Sequence, residues 1–206
     1  MAFPRPLASV LTGATLSQLR TWAEKGLVVP EVSPKRPPLY SFRDLVALRA
    51  MVALRASTSL QRISKAFANL DVFDLTEHPS AYRFGTDGRT VWVGLPGDDQ
   101  AMDLVEQPGQ STLLGFDDIA RAFQNFRDDE VVDFYHPDTH VSVRPQRLGG
   151  WPTIAGTRVP YDTVAKLVDG ETVTPDDVAE YYPGVSAEAA ASAVAFDARV
   201  RAVRAA

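Results

Sequence analysis

Ser17, Gln18, Arg20 and Thr21 sit within five consecutive positions, just after Thr15. They bring together the side chains that read nucleic acid: an arginine fork for guanine or phosphate, an amide for adenine, and hydroxyls for phosphate oxygens. Lys35 and Arg36 form a second group, set among Pro30, Pro34, Pro37 and Pro38 and followed by Tyr40 and Arg43. A proline-stiffened basic loop suits a phosphate backbone, because little conformational entropy remains to be lost on binding. Other constellations are weaker. His136 and His140 flank Asp138 with metal-like spacing, but Pro137 breaks the helix that i, i+4 ligation needs and no third ligand stands nearby. Asp128-Asp129-Glu130 reads as a solvated loop. No phosphate-binding Gly-Lys-Ser/Thr loop, no His-Glu-x-x-His and no nucleophile–base set is present. The expectation is a protein without enzymatic activity or cofactor.

The elements that must position these residues follow from periodicity. Leu7, Val10 and Leu11 mark one face of a short helix broken near Gly13, and Leu16, Leu19 and Trp22 the core face of a second helix over 15–25, stopped at Gly26. This outline is a helix-turn-helix whose second helix turns polar side chains outward, with Trp22 in its core. Leu27-Val28-Val29-Pro30 is expected to be a short strand before the basic loop. Ser41 caps a helix beginning near Phe42 and lined by Leu45, Leu48 and Val52; Leu60, Ile63, Phe67 and Leu70 mark one more.

Beyond residue 70 the pattern changes. Runs 81–84 and 90–93 flank Asp87-Gly88, a hairpin signal. A further strand pair is expected over 101–106 and 111–114. Asp117 and Asp118 open a helix in which Ile119, Phe123 and Phe126 share a face, and 131–135 and 141–143 read as strands. Tyr161, Val164 and Val168 then mark a helix ending by Gly170. Thr174-Pro175-Asp176-Asp177 starts the next, Tyr182-Pro183-Gly184 stops it, and Ser186 caps a last one carrying Ala189, Ala193, Phe196, Val200 and Val203. The fold class is therefore α+β: an N-terminal winged helix-turn-helix over 1–70, a small mixed β/α middle layer over 71–135 with a structural or dimer-forming role, and a C-terminal three-helix, helix-turn-helix-like domain over 136–206.

Composition fits that division. The 206 residues are 45% hydrophobic and 23% charged, ordinary globular usage. No apolar run is long enough to cross a membrane, residues 1–11 lack the apolar stretch of an export signal, and there is no cysteine, so a cytoplasmic protein held by packing alone is expected. The net charge of −5 conceals an asymmetry: ten Lys/Arg against three Asp/Glu in residues 1–70, and eleven against twenty-three in residues 71–206. A basic front end suits nucleic acid, whereas the acidic remainder opposes phosphates and suits a different partner, such as a basic protein.

Two resemblances sharpen this. Thr12-Gly13-Ala14-Thr15-Leu16-Ser17-Gln18-Leu19-Arg20-Thr21-Trp22-Ala23-Glu24-Lys25-Gly26-Leu27, with Tyr40-Ser41 and Thr58-Ser59-Leu60-Gln61-Arg62-Ile63, resembles MerR-type winged helix-turn-helix domains over about residues 7–70. It departs from them in carrying Thr21 and Trp22 where two tyrosines are usual, and no heptad-patterned coiled coil follows. The resemblance implies DNA binding by Thr15, Ser17, Gln18, Arg20 and Thr21, with Lys35, Arg36, Tyr40 and Arg43 around the wing. Further on, Gly149-Gly150-Trp151-Pro152-Thr153-Ile154-Ala155-Gly156-Thr157-Arg158-Val159-Pro160, with Val164, Gly170, Asp177-Val178 and Tyr182-Pro183, resembles the domain-of-unknown-function 433 family. Members of that family are commonly VapB-type antitoxins paired with PIN-like ribonuclease toxins. The resemblance thus implies an antitoxin that binds its own operator as a homodimer and masks such a toxin, with Arg158, Tyr161, Tyr181, Tyr182 and Phe196 as candidate toxin contacts. Arg158 either faces the toxin or fixes the Gly156 turn through backbone carbonyls. The alternative is a free-standing regulator whose middle segment senses a ligand.

Overall fold

A computed structural model describes residues 2–70, 75, 77–94, 101–104 and 119–205. The chain divides into two compact units, residues 2–131 and the residues from Val132 onward.

In the first unit, strand β1 (Phe3–Pro4) pairs antiparallel with β2 (Leu39–Tyr40), placing Phe3 opposite Tyr40 and Pro4 opposite Leu39. Helix α1 (Arg5–Thr12) carries a proline in its first turn, where a missing N–H costs nothing, and ends on Gly13 at φ 77°. A Cβ at Gly13 would lie 2.5 Å from Val131 Cγ2, so both backbone and space demand glycine there. Helix α2 (Leu16–Glu24) is capped by Thr15, whose Oγ1 accepts from the Gln18 N–H at 3.2 Å while Gln18 Oε1 accepts from the Thr15 N–H at 2.8 Å. Helix α3 (Phe42–Ser57) repeats the device with Ser41 and Asp44, and Ser59 caps α4 (Leu60–Asn69). Leu7, Leu11, Leu19, Trp22, Leu45, Leu48 and Met51 form the buried core, with Trp22 in the role its phase predicts. Residues 27–30 are not a strand: Leu27 and Val28 turn inward after Gly26, and the first bridge after α2 joins Ser33 to Leu39.

The expected hairpin is present as β3 (Arg83–Thr86) and β4 (Val91–Gly94), and β5 (Ala101–Asp103) pairs with β4; the partner strand expected over 111–114 lies outside the described residues, as does all of 105–118. This sheet belongs to the same compact unit as the helical head. Phe67 stacks on Phe84 with centroids 5.1 Å apart, and Thr58 Oγ1 and Arg62 Nη1 both donate to the Gly88 carbonyl. The helix expected from Asp117 to Phe126 gives way after Ala120 to a second hairpin, β6 (Phe123–Gln124) with β7 (Glu130–Val131). Asn125 decides this, because its Oδ1 accepts from the Arg127 and Asp129 N–H groups and closes a turn that a helix cannot contain.

In the second unit the strand run expected over 131–135 stops at Val131, since Asp133 Oδ1 accepts from the Tyr135 and His136 N–H groups and bends the chain. Strands β8 (Val141–Ser142) and β9 (Thr153–Ile154) pair antiparallel, followed by α5 (Tyr161–Leu167), a 3-10 turn over Pro175–Asp177, α6 (Val178–Tyr181) and α7 (Ala187–Ala205). Ala189, Ala193, Phe196 and Val200 face inward along α7, and Tyr161 meets the Phe196 ring edge-on at 4.8 Å. No described helix is long and apolar enough to cross a membrane.

Candidate functional site

Helix α2 presents what its capping box and core face leave over. Ser17 and Arg20 are exposed and Thr15 and Thr21 half-buried. Arg20 reaches Glu24 only loosely, at 3.9 Å and with both side chains about two-thirds exposed, so its guanidinium is easily released to a stronger anion. Gln18 is partly spent: its oxygen closes the cap, leaving the amide NH₂ as the group that faces outward chemistry.

The wing is a tight loop closed by paired backbone bonds between Ser33 and Leu39, at 3.1 and 2.8 Å, with Lys35 and Arg36 exposed at its tip. Tyr40 does not join them. It is fully buried opposite Phe3, with burial raising its phenol above the usual range, and so it supports the wing from within instead of reaching phosphate. Arg43 is exposed on the first turn of α3 but ion-paired to Glu31; hydrogen bonds from Ser41 and Arg43 hold the Glu31 carboxyl below its ordinary value.

Residues not singled out by sequence organise the region. Arg49 is fully buried: its Nε donates to the Ile119 carbonyl, Nη1 to Leu11 at 2.8 Å, and Nη2 to Ala120 and Arg121 at 2.9 and 2.8 Å. Buried Asp44 takes the Ser41 and Glu31 N–H groups on Oδ2, while His78 Nε2 lies 3.1 Å from Oδ1. Because His78 Nδ1 accepts from the Ser80 N–H, Nε2 carries the ring proton and donates to Asp44. Among the described residues, Glu31, Asp44 and His78 are the trio whose donor atoms lie within 4.8 Å of one another. Those atoms already serve internal bonds, so the trio buckles the base of the wing to α3.

The second unit sorts its candidates differently. Tyr161 and Phe196 are core residues, and burial pushes the Tyr161 phenol well up; neither side chain is available to a partner, because each fills the space between α5 and α7. Tyr181 is 55% exposed, Tyr182 half-buried and Arg158 exposed. The turn at 154–159 is held by Thr157, whose Oγ1 donates to the Ile154 carbonyl and accepts from the Val159 N–H; Arg158 takes no part in it. Thr157 also lies 3.8 Å from where a Cβ on Gly184 would stand, which brings the turns bearing Arg158 and Tyr181-Tyr182 together. Of the metal-like trio, Asp138 is engaged by Ser192 and by Arg199 at 2.6 Å, and His136 leans on Asp133 and Arg144.

Comparison with known proteins agrees with this division. No curated protein matches the chain. Among solved structures, the X-ray crystal structure of Rv2018 from Mycobacterium tuberculosis is similar, with a TM-score of 0.52 and 14% identity over 93% of this chain and 96% of that one, a likeness of fold alone. Residues 8–70 match the model of the MerR HTH family regulatory proteins, and residues 141–196 match that of the protein of unknown function family DUF433. The chain accordingly carries a MerR-type helix-turn-helix domain at its N-terminus and a DUF433 domain at its C-terminus.

Proposed function

We propose that this protein is a DNA-binding antitoxin. The first unit grips its own operator, as a homodimer, through α2 and the wing, and represses transcription; the second neutralises a PIN-like ribonuclease toxin. The observation that carries the DNA half is the exposed pair Ser17 and Arg20, with half-buried Thr21 beside them, on a helix whose start is fixed by a capping box and whose core face is filled by Leu19 and Trp22. A rigid helix presenting an unclamped arginine beside hydroxyls is what major-groove readout requires. For the toxin half, support comes from the DUF433 match and from the exposed Arg158 and Tyr181 on adjoining turns, an arginine and an aromatic of the kind that anchor protein interfaces.

A second reading, a free-standing regulator sensing a ligand through its middle segment, draws on the way Arg49 and Val131 tie that segment to the helix-turn-helix turn. Co-expression with the adjacent reading frame separates the two. Growth arrest relieved by this chain is expected for an antitoxin. Arg20→Ala should weaken operator retardation roughly ten-fold or more, the ~1–3 kcal/mol of one good base contact, while sparing rescue. Rescue lost together with DNA binding would contradict the division of labour, and a ligand-dependent melting shift without any partner would favour the sensor.

A further inference from the structure

We propose that Val131 and Arg49 are positioning residues for DNA recognition: the β6–β7 hairpin braces the turn between α1 and α2 and sets the tilt of the helix that meets the duplex. The inference deepens the DNA-binding reading above and rests on it. Both methyl groups of Val131 press on Gly13, since a Cβ built there would stand 2.5 Å from Cγ2 and 2.7 Å from Cγ1. Across the hairpin Val131 is paired with Phe123, and the Arg49 guanidinium lies 5.2 Å over that ring. The same guanidinium donates to the carbonyls of Ile119, Ala120 and Arg121, and to that of Leu11, the last residue but one of α1. Towards the hairpin's tip, Arg55 lies 4.5 Å over the Phe126 ring. Two arginines of α3 thus hold the hairpin by its two phenylalanines, and the hairpin holds the turn.

A turn built on glycine needs such a hold. Gly13 at φ 77° has no Cβ to limit its backbone, and Val131 supplies from far along the chain the steric stop that the turn lacks. Leu19 and Trp22 seat one face of α2 in the core, but its tilt is set where it joins α1. A tilt of roughly 10° about that turn moves the far end of a helix about 13 Å long by about 2 Å. Hydrogen bonds to base edges do not survive such a shift, whereas contacts of long cationic side chains with phosphates do. The hairpin lies outside residues 8–70 matched by the MerR family model, so the brace is not carried over with that match.

The test uses the full chain, well below its melting temperature, and compares wild type, Val131→Ala and Val131→Thr. Each is measured for affinity toward a duplex of the chain's own upstream region and toward a random-sequence duplex, over a range of NaCl concentrations. Threonine keeps the branched shape that presses on Gly13 but buries a hydroxyl, so both variants lose stability and only alanine loses the brace. Val131→Ala should lower preference for the upstream duplex about ten-fold, the worth of one good base contact, with an unchanged salt slope because the same cations still meet phosphates. Val131→Thr should keep wild-type preference. Equal preference in all three overturns the brace. A loss shared by both variants in step with their melting temperatures also overturns it, since Val131 is then a folding residue. Should Val131→Ala not fold, Phe123→Leu, which frees the hairpin from the Arg49 guanidinium, is measured in its place. A second arm records residual dipolar couplings of the α1 and α2 backbone N–H groups in the free protein. If wild type does not prefer the upstream duplex, the operator reading falls and the couplings decide: an α1–α2 angle changed in the alanine variant alone upholds the brace, and an unchanged angle overturns it.

Discussion

A buried arginine is tolerable only when its fixed fork of donors is met, and Arg49 meets four carbonyls drawn from two places, Leu11 at the end of α1 and residues 119–121. It also lies 5.2 Å over the Phe123 ring. Replacing it with methionine keeps the volume but strands those acceptors in the interior, so Arg49→Met should cost about 3–5 kcal/mol. Arg49→Lys should recover only a small part, because a point charge cannot serve acceptors spread around a planar fork. Urea denaturation checks both; a loss under 1 kcal/mol for Arg49→Met would mean that the carbonyls are served by something else. None of this was legible in the sequence. Arg49 stands between Leu48 and Ala50 in an ordinary amphipathic helix, and its partners in 119–121 lie some seventy positions away. Tyr40, Tyr161 and Phe196 were misjudged for the same reason: residue type suggests a contact surface, but only tertiary packing decides which aromatics are left outside.

Elements fixed by local bonds were readable. Thr15 with Gln18, Ser41 with Asp44, and Asp87-Gly88 between two apolar runs each act within three or four residues, so helix starts and the hairpin fall where spacing places them. The β6–β7 hairpin misled because Ile119, Phe123 and Phe126 mimic helical spacing, and the turn depends on the Asn125 side chain bonding to the backbone in competition with a helix. That hairpin presses Val131 against Gly13, the pivot between α1 and α2. Gly13→Ala meets two penalties, a left-handed backbone at φ 77° worth about 1 kcal/mol and a clash at 2.5 Å, and should lose about 2–4 kcal/mol in all. Pairing it with Val131→Ala should return the steric part and leave the backbone part. Full additivity of the two single losses would show that the turn and the hairpin do not press on each other.

At the scale of the whole chain, the acid response should differ between the units. In the second unit Asp169 accepts from the Val173, Glu171 and Thr172 N–H groups, Asp177 from Thr174, and Glu188 from Ser186, and each is held below its ordinary value by those bonds. Asp162 is partly buried, which pushes its pKa up, yet hydrogen bonds from Lys166 and Trp151 outweigh this and keep it low. A carboxyl whose folded pKa is depressed contributes stability that is present above its unfolded pKa, near 4, and is lost as pH falls through the folded value. In the first unit Glu31 and Asp87 are held down in the same way, and the second unit, which carries four such carboxyls, should loosen first on acidification. The three tryptophans report separately: Trp22 and Trp92 in the first unit, and Trp151, whose Nε1 donates to Asp162 Oδ1 at 3.0 Å, in the second. With 5-fluorotryptophan incorporated, the Trp151 resonance should leave its native position below pH ~4 while the other two persist. Asp169→Asn removes the charge at every pH, as protonation does in acid, and should lower the second unit's stability near neutral pH while flattening its dependence on pH. Prior loss of the Trp22 and Trp92 signals would mean that repulsion within the cationic head, not its partner unit's carboxyls, sets the acid limit.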